Sequence, residues 1–243
     1  MRAFGPSVEL AIVSTGDYTV SSQYTMQGNR QRIIDYGEVF TPPGLVNDML
    51  DLVAHECDRI DARFLEPACG DGNFLAEVLR RKLLAVDRRN GRNPGKWERD
   101  AILALCSLYG IDLLADNIAD CRARLLNIVD EAYAARFGAP FPAAAARAAA
   151  FILSRNIVQG DALTLLDSHG QPIILSEWSP INGVLLKRRD FAYGHLLGHA
   201  HAATTPLFRT LEKDVYLPRP VADYPPCHFL EVSEAATHGY DTK

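Results

Sequence analysis

A glycine-containing segment between two apolar runs is the clearest candidate for chemistry in this chain. It reads Phe64-Leu65-Glu66-Pro67-Ala68-Cys69-Gly70-Asp71-Gly72-Asn73-Phe74-Leu75, and apolar residues then continue at helical spacing. Glycine adopts positive φ and lets the backbone approach a ligand closely. The helix behind such a turn offers free N–H groups to a carboxylate or phosphate. The segment therefore predicts a strand, a cofactor-binding turn and a helix.

The spacing of the glycines argues against a nicotinamide dinucleotide. The dinucleotide fingerprint has a third glycine three residues after the second, and an acid about 20 residues further on. Here Leu75 stands where the third glycine belongs, and the next acid that ends an apolar run is Asp112. The turn is therefore expected to bind a cofactor other than NAD.

Two acids follow apolar segments, and the residues alone leave their roles open. Asp112 follows Tyr109-Gly110-Ile111, and Asp161 follows Ile157-Val158-Gln159-Gly160. Such acids commonly cap the helix that comes next. They bind a ligand instead if the glycine segment is a cofactor site.

Four motifs in this order resemble the S-adenosylmethionine (SAM)-dependent DNA methyltransferases that modify adenine N6 in restriction–modification systems. They are Gly37-Glu38-Val39-Phe40-Thr41-Pro42-Pro43, the glycine segment, Gly110-Ile111-Asp112-Leu113, and Asn156-Ile157-Val158-Gln159-Gly160-Asp161-Ala162-Leu163. The resemblance covers residues 37–163 and rests on the combination rather than on any one motif.

The resemblance implies a set of SAM-binding residues. In that family a Phe-Thr-Pro element packs against SAM, the second-strand acid binds the ribose hydroxyls, and the third-strand acid accepts the adenine amino group. Carried onto this chain, the cofactor-binding residues are Phe40, Thr41, Pro42, Glu66, Pro67, Ala68, Cys69, Gly70, Gly72, Asp112, Leu113, Asp161 and Ala162.

The catalytic motif of that family is not found. Its Asn/Asp/Ser-Pro-Pro-Tyr/Phe follows the fourth strand, where oxygens accept the amino protons of a flipped adenine and the ring stacks on the base. Ser179-Pro180-Ile181-Asn182 lacks the second proline and the aromatic residue, and we interpret it as a hairpin turn. Tyr224-Pro225-Pro226-Cys227 comes late in the chain and begins with tyrosine. The catalytic residues are therefore unassigned.

Two basic clusters are candidates for binding DNA phosphates. Lys187, Arg188 and Arg189 follow the fourth-strand region and are the expected contacts, and Arg88-Arg89-x-x-Arg92 forms a second cluster. A solvated charge run is the alternative for each.

Three histidines have a spacing that suits a metal ion. They are His195, His199 and His201, and no cysteine or acid accompanies them. Because metal sites with histidine usually include such partners, we expect no metal.

The composition is that of an ordinary globular protein. The 243 residues are 48% hydrophobic and 23% charged, with a net charge of -5, so DNA binding must come from local patches. The first residues show no secretory pattern, and no apolar run is long enough to span a membrane. The five cysteines form no Cys-x-x-Cys pair, so free thiols and a cytoplasmic location are expected.

Alternating strands and helices must position these residues. Strands are predicted at about 63–67, 109–113 and 156–160, with helices at about 43–57, 73–86, 99–108, 116–136 and 143–154. This pattern predicts an α/β fold with a mostly parallel sheet covered on both faces. The resemblance implies the doubly wound sheet of class I methyltransferases.

The chain is expected to divide into three parts. Residues 1–36 form a lead-in with one possible strand at 10–13, residues 37–200 form the SAM-binding domain, and residues 201–243 form an irregular C-terminal tail. Within the second part, Asn182-Gly183 between apolar runs predicts a hairpin.

The expected function is SAM-dependent methylation of adenine N6 in DNA, within a restriction–modification system. Only 80 residues follow Leu163, which leaves no room for a target-recognition domain, so a partner subunit is expected. One alternative is a non-catalytic SAM- or DNA-binding accessory subunit, which the missing motif favours. The other is an amino-group methyltransferase that acts on RNA or protein.

Overall fold

Four short parallel strands form the sheet that carries the glycine segment. The computed structural model describes residues 11–12, 41–197, 218–235 and 240–241. The strands lie in the order β1-β2-β3-β4 and are β1 (Ala11–Ile12), β2 (Phe64–Glu66), β3 (Leu108–Asp112) and β4 (Ile157–Gln159). The three strands predicted from the glycine segment onward are therefore confirmed as a parallel sheet.

Within the described residues, six helices connect these strands. They are α1 (Pro43–Asp51), α2 (Ala54–Cys57), α3 (Asn73–Asn90), α4 (Pro94–Cys106), α5 (Ala115–Phe137) and α6 (Ala143–Asn156).

The helix predicted at about 73–86 continues to Asn90, and two other helices also differ from the prediction. The helix expected at 43–57 is interrupted at Val53, whose φ of -121° and ψ of 29° are not helical. Helix α4 begins at Pro94 rather than near residue 99, because the side chain of Asn93 accepts a hydrogen bond from the backbone N–H of Lys96. An asparagine cap followed by proline is a strong helix start, although the sequence 87–96 reads as a loop.

The helices cover one face of the parallel sheet. Phe64 and Leu108 belong to the large core formed with the helices, whereas their neighbours Leu65 and Tyr109 belong to a second, smaller core. Successive strand residues point to opposite faces. A strand order that increases steadily, with right-handed crossovers, places all connecting helices on the same side.

The other face of the sheet is covered by the chain that follows β4. Ile173, Leu175 and Tyr193 pack there against Leu65 and Ile111. The α/β class is thus confirmed. The strand order does not reverse within the described residues, so the doubly wound arrangement stays a prediction.

A second, antiparallel sheet follows. Its core is the hairpin of β5 (Ile174–Ile181) and β6 (Leu185–Ala192), joined at Asn182 and Gly183, which have φ of 43° and 82°. Because Ile181 pairs with Leu185, the loop has three residues, and the first two have the positive φ that Asn and Gly tolerate. The predicted hairpin is therefore confirmed.

The C-terminal residues that the structure describes are more regular than the tail expected from the sequence. Short strands β7 (Ala222–Asp223) and β8 (Cys227–His228) pair with β6, and β9 (Tyr240–Asp241) pairs with β7. Two-residue strands in a proline-rich stretch have too little periodicity to be seen in the sequence.

Two further expectations can be compared with the structure. All five cysteines are free thiols, as predicted. No helix within the described ranges combines the length and the apolar character that a membrane span requires.

Candidate cofactor-binding site

The candidate site lies at the carboxyl edge of the parallel sheet. Strand β2 ends at Glu66 and β3 ends at Asp112, while β4 ends at Gln159, two residues before Asp161. The backbone N–H of Gly160 donates to the carbonyl of Asp112 at 2.9 Å, which joins the ends of β3 and β4. Open α/β sheets bind ligands beyond this edge. The fold therefore brings the three predicted acids to the same edge.

Both glycines of the turn between β2 and α3 have positive φ, 51° at Gly70 and 86° at Gly72. Gly72 also packs against α5, because a Cβ built there would lie 2.5 Å from the Sγ of Cys121. Side chains are therefore excluded at Gly72 by backbone conformation and by the neighbouring helix together. The Gly-x-Gly spacing suggests close approach to a ligand as one reason for glycine, and the structure supplies a packing reason.

Three N–H groups of this turn are bonded within the protein. Gly70 donates to Oδ2 of Asp112 at 2.9 Å, Gly72 donates to the carbonyl of Cys69 at 2.8 Å, and Cys69 donates to the carbonyl of Ile111 at 2.9 Å. At these three positions the turn differs from a phosphate-binding loop, whose N–H groups face the anion.

The carboxylate of Asp112 accepts three hydrogen bonds. Besides Gly70, Oδ1 accepts from the backbone N–H of Leu114 at 2.9 Å and from Nδ2 of Asn117 at 3.1 Å. A carboxylate has roughly four acceptor positions. Asp112 thus binds the chain just before α5, whose N-cap is Leu114, and one acceptor position remains for a ligand hydroxyl.

Two acid oxygens near the turn are shielded from solvent and lack a hydrogen-bond partner within the described part of the chain. They are Oε2 of Glu66 and Oδ1 of Asp71. Burial of the carboxyl group raises the pKa of Glu66 well above its usual value, and the nearby Cys121, Asp112 and Asp71 add to this effect. Because an unsatisfied buried acceptor costs about 1–3 kcal/mol, both oxygens favour a ligand that brings N–H or O–H donors.

One face of α5 holds the turn in place. Asn117, Cys121 and Arg124 are spaced four and three residues apart and so lie on the same side of the helix. Arg124 donates from Nη2 to Oδ2 of Asp71 at 2.6 Å and from Nη1 to Oδ1 of Asn73. A single helix therefore contacts the strand-end acid and both sides of the glycine turn.

Sequence reasoning missed these supporting residues. Asp71 stands inside the glycine segment and Asn117 belongs to the second-strand motif, but the sequence predicts no supporting role for either, and it predicts Cys121 and Arg124 only as part of a helix. Their helical spacing directly after Asp112 was the available signal. The thiol of Cys69 also belongs to this cluster, because its contact with Cys121 and its burial raise its pKa well above the usual value.

The loop after β4 carries the third acid. Oδ1 of Asp161 accepts from the backbone N–H of Leu163 at 2.8 Å, and this bond lowers the pKa of Asp161. Leu165 has an unfavourable positive φ of 66° for a residue with a side chain, which marks a tightly turned loop. Large apolar side chains are exposed beside two of the acids, Leu113 after Asp112 and Leu163 after Asp161.

The remaining predicted cofactor residues occupy different surroundings. Pro67 and Ala68 lie within the turn, and Ala162 packs partly against the smaller core. Thr41 and Pro42 directly precede α1. This helix is held to α3, because Arg81 donates to the side-chain oxygen of Asn47. Phe40 lies outside the described residues.

The predicted DNA-binding cluster does not form a single patch. On β6 the side chains of Lys187 and Arg189 point to one face and that of Arg188 to the other. Arg188 is buried and binds Asp190 at 2.8 and 2.6 Å through two nitrogens. This correction follows from strand alternation, which separates three consecutive residues.

The other two cations of this cluster are paired with acids. Nζ of Lys187 lies 3.0 Å from Oδ1 of Asp223, and Nη2 of Arg189 lies 2.7 Å from Oε2 of Glu177. A DNA phosphate would have to displace these carboxylates before it contacted either side chain.

The two segments compared above with the missing catalytic motif, residues 179–182 and 224–227, both belong to the second sheet and its loops. Ser179, Pro180 and Ile181 are paired within the β5–β6 hairpin. The neighbouring Trp178 donates to Oδ1 of Asn156 at 3.0 Å, and Asn156 directly precedes β4. The hairpin interpretation is confirmed, and this contact joins the segment to the amino-terminal edge of the parallel sheet, opposite the glycine turn.

The second of these segments, residues 224–227, packs around the buried Arg188. The ring of Tyr224 stacks on the guanidinium of Arg188, 4.3 Å from its centroid. Tyr224 is therefore engaged by the second sheet.

The histidines can be compared with the structure only in part. His195 lies in the described range, whereas His199 and His201 lie outside it. Within the described residues, no three histidine, cysteine or acidic side chains are grouped in a way that would hold a metal ion.

Comparison of the chain with models of known protein families, with curated proteins and with solved structures found no match.

Proposed function

We propose that the chain binds SAM at the carboxyl edge of its parallel sheet and takes part in the methylation of adenine N6 in DNA, within a restriction–modification system. The observation that carries the proposal is the chemistry of the glycine turn. The N–H groups of Cys69, Gly70 and Gly72 are bonded internally, while shielded acid oxygens of Glu66 and Asp71 remain without partners in the described residues.

This arrangement favours a cationic ligand over a phosphorylated one. A phosphate near Asp112 would meet a carboxylate that already accepts the N–H of Gly70, so it would gain no donor there and suffer repulsion from the acid. An ammonium group would instead donate to the unpaired oxygens of Glu66 or Asp71. SAM has an ammonium and a sulfonium group, ribose hydroxyls and no phosphate.

The other predicted residues suit the nucleoside part of that cofactor. One acceptor position of Asp112 remains for a ribose hydroxyl, and Asp161 follows the neighbouring strand, where the resemblance assigns it to the adenine amino group. The exposed side chains of Leu113 and Leu163 provide apolar surface for a flat base.

The reaction requires groups that the described residues do not supply. SAM would contribute an electrophilic methyl group, which the adenine nitrogen attacks as the carbon–sulfur bond breaks. The amino protons must be accepted by oxygens, and the base must be held outside the duplex. We therefore propose that a partner subunit supplies the base pocket and recognises the target sequence.

A second candidate function is a non-catalytic SAM-binding accessory subunit. It is favoured by the position of Ser179–Ile181 within the β5–β6 hairpin, whose neighbour Trp178 is bonded at the opposite edge of the parallel sheet from the glycine turn. A chain that retains the cofactor site without the catalytic motif would regulate or stabilise an assembly in response to SAM.

Calorimetry of the purified chain tests the cofactor proposal. SAM is expected to bind, whereas NAD and ATP are expected not to bind, because phosphates are repelled at the turn. Absence of SAM binding, or tighter binding of ATP, would overturn it. Transfer of labelled methyl groups to DNA, measured with and without the proteins encoded next to this chain, then separates a catalytic component from an accessory one.

A further inference from the structure

We infer that the turn between α3 and α4 is a surface that binds the phosphates of duplex DNA. This basic turn, residues 88–96, contains Arg88, Arg89, Arg92 and Lys96 and no acid. All four side chains are exposed. Guanidinium and ammonium groups that face solvent bind the phosphate backbone and release its counterions.

The cations of the basic turn are available to bind phosphate. Those at 187–189 are not, because they are buried or paired with acids. Within the described residues no carboxylate lies at ion-pair distance from Arg89, Arg92 or Lys96. Arg88 contacts Asp58 at 2.6 Å, but both side chains are about two-thirds exposed. Such a surface pair contributes only about 0–1 kcal/mol, so a phosphate can replace the carboxylate at little cost.

Helix stability does not account for all of these charges. Arg88 and Arg89 occupy the last turn of α3, where cations favour the helix dipole. Lys96, however, lies in the first turn of α4, where a cation is unfavourable. The helix dipole therefore does not account for the cation at Lys96.

The basic turn is also held in a defined conformation. The backbone N–H of Gly91 donates to the carbonyl of Asp87 at 2.9 Å, and Nε of Arg136 donates to the carbonyl of Gly91 at 2.6 Å. Trp97 donates to Oδ1 of Asp87 beneath the turn. Arg136 thereby adds a fifth cation, and the fixed backbone lowers the entropy lost on binding.

The position of the basic turn suits a duplex that runs beside α3. This helix has 18 residues, so the basic turn lies about 27 Å from the glycine turn at its other end. That distance corresponds to about eight phosphates along one strand. Arg80 lies about two turns before Arg88 on α3 and is also exposed, although it contacts Glu77 at 3.6 Å.

Binding of a short fluorescent duplex, followed by anisotropy at several salt concentrations, tests this inference. It rests on the proposed DNA substrate but requires no methyl transfer. The variant Arg89→Ala/Arg92→Ala/Lys96→Ala is expected to bind at least tenfold more weakly. Its log–log salt slope should fall by about 2.7, because each lost phosphate contact contributes about 0.9. The matched control Lys187→Ala/Arg189→Ala should retain at least half of the wild-type affinity.

The inference would be overturned if the wild type did not bind DNA, or if the triple variant bound DNA as tightly as the wild type. It would also be overturned if polyglutamate displaced the labelled duplex as strongly as unlabelled DNA does, because that result would indicate an acidic protein partner. SAM titration of the same triple variant should match the wild type, because these residues lie at the far end of α3. If the wild type does not bind SAM, the proposed cofactor is refuted. The DNA-binding result is then still interpreted by itself, because it requires no SAM.

Discussion

Asp112 fastens the glycine turn to the end of β3, because its Oδ2 accepts a 2.9 Å hydrogen bond from the backbone N–H of Gly70. The acid that the sequence marks as a ligand residue is therefore also a support for the turn. Loss of this side chain should disturb the proposed cofactor site in two ways, by removing a contact and by releasing the loop.

We expect Asp112→Ala to weaken both SAM binding and folding. It removes the acceptor for Gly70, Leu114 and Asn117, and hydrogen bonds to a charged group contribute about 1.5–3 kcal/mol each. Urea unfolding and calorimetry measure the two effects. Asp161→Ala provides the comparison, since Asp161 lies in an exposed loop and should affect binding more than stability. SAM affinity equal to that of the wild type in Asp112→Ala would remove Asp112 from the site.

Arg124→Met should loosen the turn without unfolding the chain. The pair with Asp71 is partly exposed, so the free energy of unfolding should fall by only about 1 kcal/mol. Amide hydrogen exchange of residues 69–74 should become faster, and SAM affinity should fall several-fold. Arg147→Met, an exposed position on α6, serves as the control. Exchange rates identical in the two variants would show that Arg124 does not hold the turn.

Glu66 should make both stability and cofactor binding depend on pH. Its pKa is raised by burial, so between its usual value of 4.5 and the raised value the folded state binds the proton that the unfolded state has lost. Stability of the empty protein should therefore fall as pH rises through this window. SAM affinity should rise over the same window, because a cation favours the ionised carboxylate.

The variant Glu66→Gln isolates this effect, since it has the same shape and does not titrate. Its stability and affinity should vary less with pH than those of the wild type. Calorimetry in buffers with different ionisation enthalpies should also detect proton release when the wild type binds SAM. Matching pH profiles for the two proteins would contradict the assignment of Glu66.

Gly72→Ala should destabilise the protein more than Gly138→Ala. Both glycines have positive φ, 86° and 69°, but a Cβ at Gly138 meets no atom within 4 Å, whereas one at Gly72 meets Sγ of Cys121 at 2.5 Å. Gly138→Ala should therefore lose about 1 kcal/mol from backbone strain alone. Gly72→Ala should lose more and should also weaken SAM binding. Equal unfolding free energies for the two variants would argue against the packing of Gly72 on α5.

The local features of the fold could be read from the sequence because each depends on neighbouring residues. The apolar run before Glu66, the helical spacing after Gly72 and the Asn182-Gly183 pair specify a strand, a helix and a hairpin. The order of these elements is enough to predict a parallel sheet with helices. The sequence by itself also places the three acids after the strands.

Only the tertiary structure decided which distant groups meet and which charges remain unpaired. Gly70 and Asp112 are 42 residues apart, and Arg124 lies 53 residues from Asp71, so no local pattern records their hydrogen bonds. The same holds for Arg188, which looks like a surface cation but becomes buried when β6 packs. Hydrogen bonding and ion pairing depend on three-dimensional distance, whereas sequence periodicity reports only which face of an element is apolar.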